Sequence, residues 1–196
     1  MVFKKFVIAA ALLCASAAQA APVFADNFDT DTLALNATNF HGGWAVAGGT
    51  VDVIGAPGFY DLLPGNGRYV DLDGSTNRAG LLFNSVALTS GVTYKLSFDL
   101  AGNNRNAGKD TVEVGFGSGS QVFTRSASDG FQTFSLIYTA TSTGLVGFSF
   151  ADQGRDSQGA LLDNVTIAAV PEPETYGMLL GGLALLGVVA RRRRQG

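Results

Sequence analysis

The sequence predicts an all-β fold, an antiparallel β-sandwich of the jelly-roll type, over residues 21–170 of the 196-residue chain. Three observations predict it. Apolar and polar residues alternate with period two in a series of short runs. Clusters of Gly, Asn, Asp, Ser and Pro separate those runs. No run inside 21–170 sustains a helical period, and short strands at turn-separated spacing point to a sandwich or barrel.

The runs follow in order. Residues 23–28 form the first candidate strand, and shorter ones follow at 50–54 and 68–72. Gly48-Gly49 and Pro64-Gly65-Asn66-Gly67 supply the turns before the latter two. Residues 81–88 come next, after Asp73-Gly74-Ser75. The clearest alternation runs from Val92 to Leu100. Val92, Tyr94, Leu96, Phe98 and Leu100 share one face, and Thr93, Lys95, Ser97 and Asp99 the other. Candidate strands at 111–116 and 120–125 flank Gly117-Ser118, and 131–140 alternates through Phe134, Leu136 and Tyr138. The last two candidates are 145–150 and 160–168.

Both ends have a different composition. Lys4 and Lys5 precede an apolar stretch from Phe6 to Cys14, and Ala18-Gln19-Ala20 has the small-residue pattern of a cleavage site. Residues 1–20 therefore read as a secretory signal peptide cut between Ala20 and Ala21. That cut discards Cys14, the only cysteine, so no disulfide framework is expected.

At the other end stand Pro171, Glu172 and Pro173, an apolar stretch from Tyr176 to Ala190, and Arg191, Arg192, Arg193 and Arg194. Two prolines two apart specify an extended linker. As a helix the apolar stretch would be about 22 Å long. That is short for a bilayer core of about 30 Å, although arginine stems can extend it by snorkelling. A terminal arginine cluster would stop in the cytoplasm and leave the domain outside. The segment 176–190 is thus expected to be a transmembrane helix.

This order of pieces over 171–196 resembles the PEP-CTERM sorting signal of Gram-negative bacteria. The resemblance implies recognition by exosortase, a cut near Pro171–Pro173, transient inner-membrane anchoring and passage to the cell surface, often alongside exopolysaccharide. A permanently anchored single-span protein is the alternative.

Residues 21–170 carry seven Lys and Arg against fourteen Asp and Glu, a net charge near −7. Such a domain is a poor partner for nucleic acid. His41 is the only histidine, so neither a zinc site of several histidines nor an obvious triad is available. Gly115-Phe116-Gly117-Ser118-Gly119 mimics a nucleotide loop but precedes a strand pattern, so it reads as a hairpin turn. No carboxylate pair stands out as a glycosidase pair, and no catalytic residue is assigned.

Asp163 shares sequence parity with Val165 and Ile167 in the last strand, which would point it into the core. A buried carboxylate needs a partner. Asp26 and Asp29 flank the end of the first candidate strand, and calcium takes such oxygen ligands. The other reading places Asp163 at a strand rim, accepting backbone N–H groups. For sugar binding, Trp44, Tyr60 and Tyr69 are candidate platforms and Asn104 sits in an amide-rich loop, but Trp44 reads more readily as a core residue and the Asn run as a turn.

The string Phe28-Asp29, Gly43-Trp44, Tyr69 to Gly74, Gly91 to Tyr94 and Leu162-Asp163-Asn164-Val165 resembles galactose-binding-like jelly rolls, which include many carbohydrate-binding modules. The resemblance implies a structural calcium near Asp26, Asp29 and Asp163. The sequence thus leads to an exported, exosortase-processed surface or matrix protein with a binding or structural role. A carbohydrate-binding module for exopolysaccharide and a glycan-active hydrolase on the same sandwich are the alternatives.

Overall fold

The computed structural model describes residues 20–58, 60–105 and 108–171, together with 182 and 191. Residues 1–19, expected to belong to a signal peptide, lie outside the described residues, as do Glu172, Pro173, Arg192 to Arg194 and all of the 176–190 stretch except Gly182. No helix among the described residues is long and apolar enough to cross a membrane.

Among the described residues of 20–170 there are eleven strands: β1 Pro22–Asp26, β2 Ala45–Ala47, β3 Asp52–Gly55, β4 Arg68–Asp71, β5 Leu81–Leu88, β6 Thr93–Ala101, β7 Lys109–Phe116, β8 Gly119–Ser126, β9 Gln132–Thr139, β10 Gly144–Asp152 and β11 Leu161–Ala169. All ten sequence-predicted runs are strands. The addition is β2, whose three residues are too few to show a period. Gly117-Ser118 is the two-residue turn between β7 and β8, with Gly117 at φ 59°, as the hairpin reading requires.

The strands form two antiparallel sheets. The first has the order β3-β4-β11-β6-β9, with β1 also paired to β11. The second has the order β2-β5-β10-β7-β8. The core lies between them. From β6 come Leu96, Phe98 and Leu100, from β7 Val112, Val114 and Phe116, from β10 Phe148 and Phe150, and from β11 Leu162, Val165 and Ile167. Phe98 meets Phe150 edge to face at 5.1 Å and so joins the two sheets. Each such ring, fully buried, stabilises the fold by about 1.5–3 kcal/mol. A smaller apolar cluster of Ile54, Tyr69, Ala101 and Leu161 is covered by Leu62, Leu63 and Phe131.

Candidate functional site

Two of the four expected ligand residues are not available to a ligand. Trp44 is 4% exposed and sits in the core against Phe24, Phe28, Phe148 and Phe150. Its indole N–H donates to Asp26 Oδ2 at 2.9 Å. Tyr69 is fully buried, and its hydroxyl accepts from the N–H groups of Leu62 and Leu63 at 2.6 and 2.9 Å. It is the pin of the β3–β4 loop. Burial is the main cause raising its pKa. A ring closed in by its neighbours cannot stack on a sugar, so the platform role of Trp44 and Tyr69 is corrected. Tyr60 and Asn104 are exposed. The Asn104 amide donates to Leu62 O at 3.1 Å, which draws its loop to the loop of Tyr60.

The last strand corrects a second expectation. Asp163 pairs with Asp99, whose side chain lies on the sheet face away from the core. The register then shifts before Thr166, and Asn164 adopts φ 51°. This β-bulge inserts one residue, so Leu162, Val165 and Ile167 face the core while Asp163 does not. Asp163 is nonetheless buried, at 3% exposure. Its carboxylate accepts from the Asn164 N–H at 2.7 Å. Burial, followed by Asp29, Asp99 and Asp26, pushes its pKa up to about 7 against that bond.

Asp26 and Asp29 thus stand in the same electrostatic neighbourhood as Asp163. Each already has partners. Asp26 accepts from Phe28 N–H and Trp44 Nε1, and Asp29 accepts from Arg68 N–H and the Asn27 amide. Among the described residues, no three His, Cys, Asp or Glu side chains converge as a metal-binding group.

A second acidic group went unseen in the sequence. Asp71, Asp73 and Asp152 hold the β10–β11 loop through its backbone. Asp71 accepts from Gly159 N–H at 2.9 Å and is paired with Arg105. Asp73 accepts from Asp156 and Ser157 N–H at 2.9 and 3.0 Å. Asp152 accepts from Gly154 and Ala160 N–H at 2.6 and 3.0 Å. Asp110 lies with them, bonded to the Asn103 amide at 2.9 Å. Burial and the nearby Asp152 and Asp156 push its pKa up to about 7.

The outer face of the second sheet is open. The register places Ala45, Phe83, Ser149, Gly115 and Ser120 in one row across β2, β5, β10, β7 and β8. The neighbouring row is Ala47, Leu81, Ala151, Glu113 and Val122. A shallow groove of about 390 Å³ crosses this face along Leu81, Glu113, Gly115, Ser120, Ser149 and Ala151. Phe83, 38% exposed, borders it beside Ser149. Small side chains leave room for a ligand to lie along the sheet, with Phe83 as an apolar contact. The parity of 81–88 contains this signal: Leu82, Val86 and Leu88 point inward, so Phe83 must point out. Another crevice, about 430 Å³, follows the loop from Thr32 to His41. Its described lining offers two rings, the half-buried Phe40 and the His41 imidazole.

A sorting motif of known type matches residues 169–194, which include the last residue of β11 and the Pro171–Pro173 segment. The chain carries a PEP-CTERM protein-sorting motif. The motif therefore follows the sandwich with no intervening spacer. A comparison with curated protein sequences finds no match. Among solved structures, the sandwich is similar to the CBM22-1 xylan-binding domain of Xyn10C from Paenibacillus barcinonensis. Identity is 13%, the alignment covers 79% of this chain and 97% of that one, and the TM-score is 0.51. It is also similar to the arabinose-bound MgGH51 α-L-arabinofuranosidase. There identity is 13%, the alignment covers 73% of this chain and 25% of that one, and the TM-score is 0.50. These likenesses show the fold, a two-sheet antiparallel β-sandwich, ahead of the sorting motif.

Proposed function

We propose that this chain is an exported protein, processed by exosortase, whose sandwich binds carbohydrate at the cell surface or in its matrix. The observation that carries the reading is the attachment of a PEP-CTERM motif to a carbohydrate-binding-module type of sandwich with an open, groove-bearing sheet face. The leader 1–20 brings the chain to the inner membrane. β1 begins at Pro22, so a cut between Ala20 and Ala21 leaves it whole. The apolar stretch 176–190 holds the chain in the bilayer until exosortase acts near Pro171, Glu172 and Pro173, and Arg191 to Arg194 set its orientation.

The binding surface in this reading is the groove beside Phe83, with Glu113, Ser120 and Ser149 as its hydrogen-bonding groups. Binding rather than hydrolysis is favoured because glycoside hydrolysis uses two carboxylates. The two central rows of this face supply Glu113 alone. Tyr60 and Asn104 form a second exposed surface for a longer glycan.

Calcium belongs to the same proposal. Asp163, Asp26 and Asp29 are hard oxygen donors, and burial, then the neighbouring Asp29, Asp99 and Asp26, raises the Asp163 pKa. Because three side chains do not converge there, the ion would draw on backbone carbonyls as well. A glycan array probed with the mature secreted protein, with and without calcium, tests the function. Retention of one glycan class supports it, and no retention under either condition contradicts it.

A further inference from the structure

We infer that the end of the sandwich from which the sorting motif departs is a lipid-facing surface, which rests against the bilayer while the tail is being processed. This rests on the reading that the motif is handled at the membrane.

The geometry begins at Val170. Its N–H donates to Thr93 O at 2.8 Å, so the backbone is still tied to the sheet one residue before Pro171. The strand it extends, β11, lies between β4 and β6 and also pairs with β1. It cannot peel away without opening the sheet. Residues 171–175 link Val170 to the apolar stretch, and five extended residues span at most about 18 Å. A membrane-associated cut near Pro171–Pro173 therefore brings this end of the sandwich to within about that distance of the bilayer surface.

The surface at that end suits such a position. It is built from Ala20 to Phe24 at the start of β1, Thr89 to Thr93 between β5 and β6, Thr139 to Leu145 between β9 and β10, and Ala168 to Val170. None of these segments contains Asp, Glu, Lys, Arg or His, although the domain is strongly acidic. Two aliphatic residues of these segments are exposed: Leu145 at 76%, near the start of β10 on the outer face of the second sheet, and Val23 at 47%. The hydroxyls are tied together. Ser90 N–H donates to Thr143 Oγ1 at 3.0 Å, Ser90 Oγ donates to Thr141 O at 3.2 Å, and Thr93 and Thr139 share a 2.9 Å bond. The two loops thus present a fixed, uncharged surface.

The opposite end is the reverse. Asp71, Asp73, Arg105, Asp110, Asp129, Asp152, Arg155 and Asp156 gather where β4 and β10 finish and β7 starts. Bacterial bilayers present negative lipid headgroups, which repel an acidic domain over about a Debye length. A charge-free end can approach without that repulsion and without stripping water from an ion. Leu145 and Val23 then enter the headgroup boundary, as interfacial aliphatic residues do. Lipid is favoured as occupant because the short link after Val170 tethers this end beside the bilayer and its exposed aliphatic residues suit the headgroup boundary.

The test uses residues 21–196, the chain after removal of the leader 1–20 and with it Cys14, in vesicles of phosphatidylethanolamine and phosphatidylglycerol without exosortase. An environment-sensitive fluorophore is placed through Leu145→Cys, Val23→Cys or, as control, Asp156→Cys. Quenching by lipid spin-labelled at the headgroup should be at least about two-fold stronger at 145 and 23 than at 156, as expected for an interfacial contact. Equal quenching at all three positions in vesicle-bound protein overturns the surface while leaving the membrane reading intact. Protein that stays out of the vesicle fraction overturns the membrane reading as well. Shielding of position 145 that develops only when exosortase is added assigns the surface to the enzyme and overturns the lipid contact.

Discussion

The indole of Trp44 and the carboxylate of Asp26, eighteen positions apart, are joined by a 2.9 Å hydrogen bond at the edge of the core. The other oxygen of Asp26 accepts the Phe28 N–H at 2.9 Å, and Phe28 packs against Trp44. One carboxylate thus fixes both the turn after β1 and the ring that fills the space beneath it. Trp44→Phe keeps the ring and leaves Asp26 Oδ2 short of a donor. It should cost about 1–3 kcal/mol. Trp44→Ala should cost about 3–5 kcal/mol, because it also opens a cavity. Urea unfolding of both variants measures the difference.

Stability should fall as pH rises from about 4 to about 7 in calcium-free buffer. Burial raises the carboxyl pKa of Asp163, Asp71 and Asp110 to about 7. The unfolded value is about 3.9. Between those values the folded state holds more protons than the unfolded state, so its advantage is complete below about pH 4 and is lost as pH passes through 7. Each pH unit in the window costs up to about 1.4 kcal/mol per such group. Melting temperature against pH reads the slope, and Asp163→Asn should make it shallower.

Calcium should counter that loss at its upper end. At pH 7.5 the wild type should melt higher with millimolar calcium than with a chelator, and Asp163→Ala should show no such difference. An equal shift in both proteins would place the ion elsewhere.

The β10–β11 loop should loosen when its carboxylate holders are removed. Asp73→Ala withdraws the acceptor of Asp156 and Ser157 N–H, and Asp152→Ala that of Gly154 and Ala160 N–H. Each variant should lose about 1–3 kcal/mol, because the N–H groups are left without partners. Hydrogen exchange should quicken at those amides while β6 amides stay protected.

The strands were legible because period two survives in a chain whose two faces meet different solvents. Val92 to Leu100 shows it best: its apolar face is the sheet interior and its polar face is outside. The side on which Asp163 lies was not legible, because a single inserted residue at Asn164 reverses parity and leaves no mark in the hydrophobic pattern. For Trp44 the core reading outweighs the platform reading in the sequence, and its burial bears the core reading out. The carboxylate holders of the β10–β11 loop were hidden for another reason. Asp71 and Gly159 are 88 positions apart, and only the sheet brings them together. Phe83 was within reach, because the inward set of β5 assigns it to the open face.

The sandwich is proposed to bind glycan on the open face of its second sheet. This binding is tested most directly by titrating the best-retained array glycan into wild type, Phe83→Ala and Tyr60→Ala by calorimetry. Loss of one buried aromatic contact, about 1–3 kcal/mol, corresponds to a weakening of roughly five- to a hundred-fold in Phe83→Ala, with the melting temperature unchanged. Tyr60→Ala should bind within about three-fold of wild type, less than 1 kcal/mol. Wild-type affinity in Phe83→Ala, with binding abolished in Tyr60→Ala, would contradict the account and move the site to the loops at the other sheet.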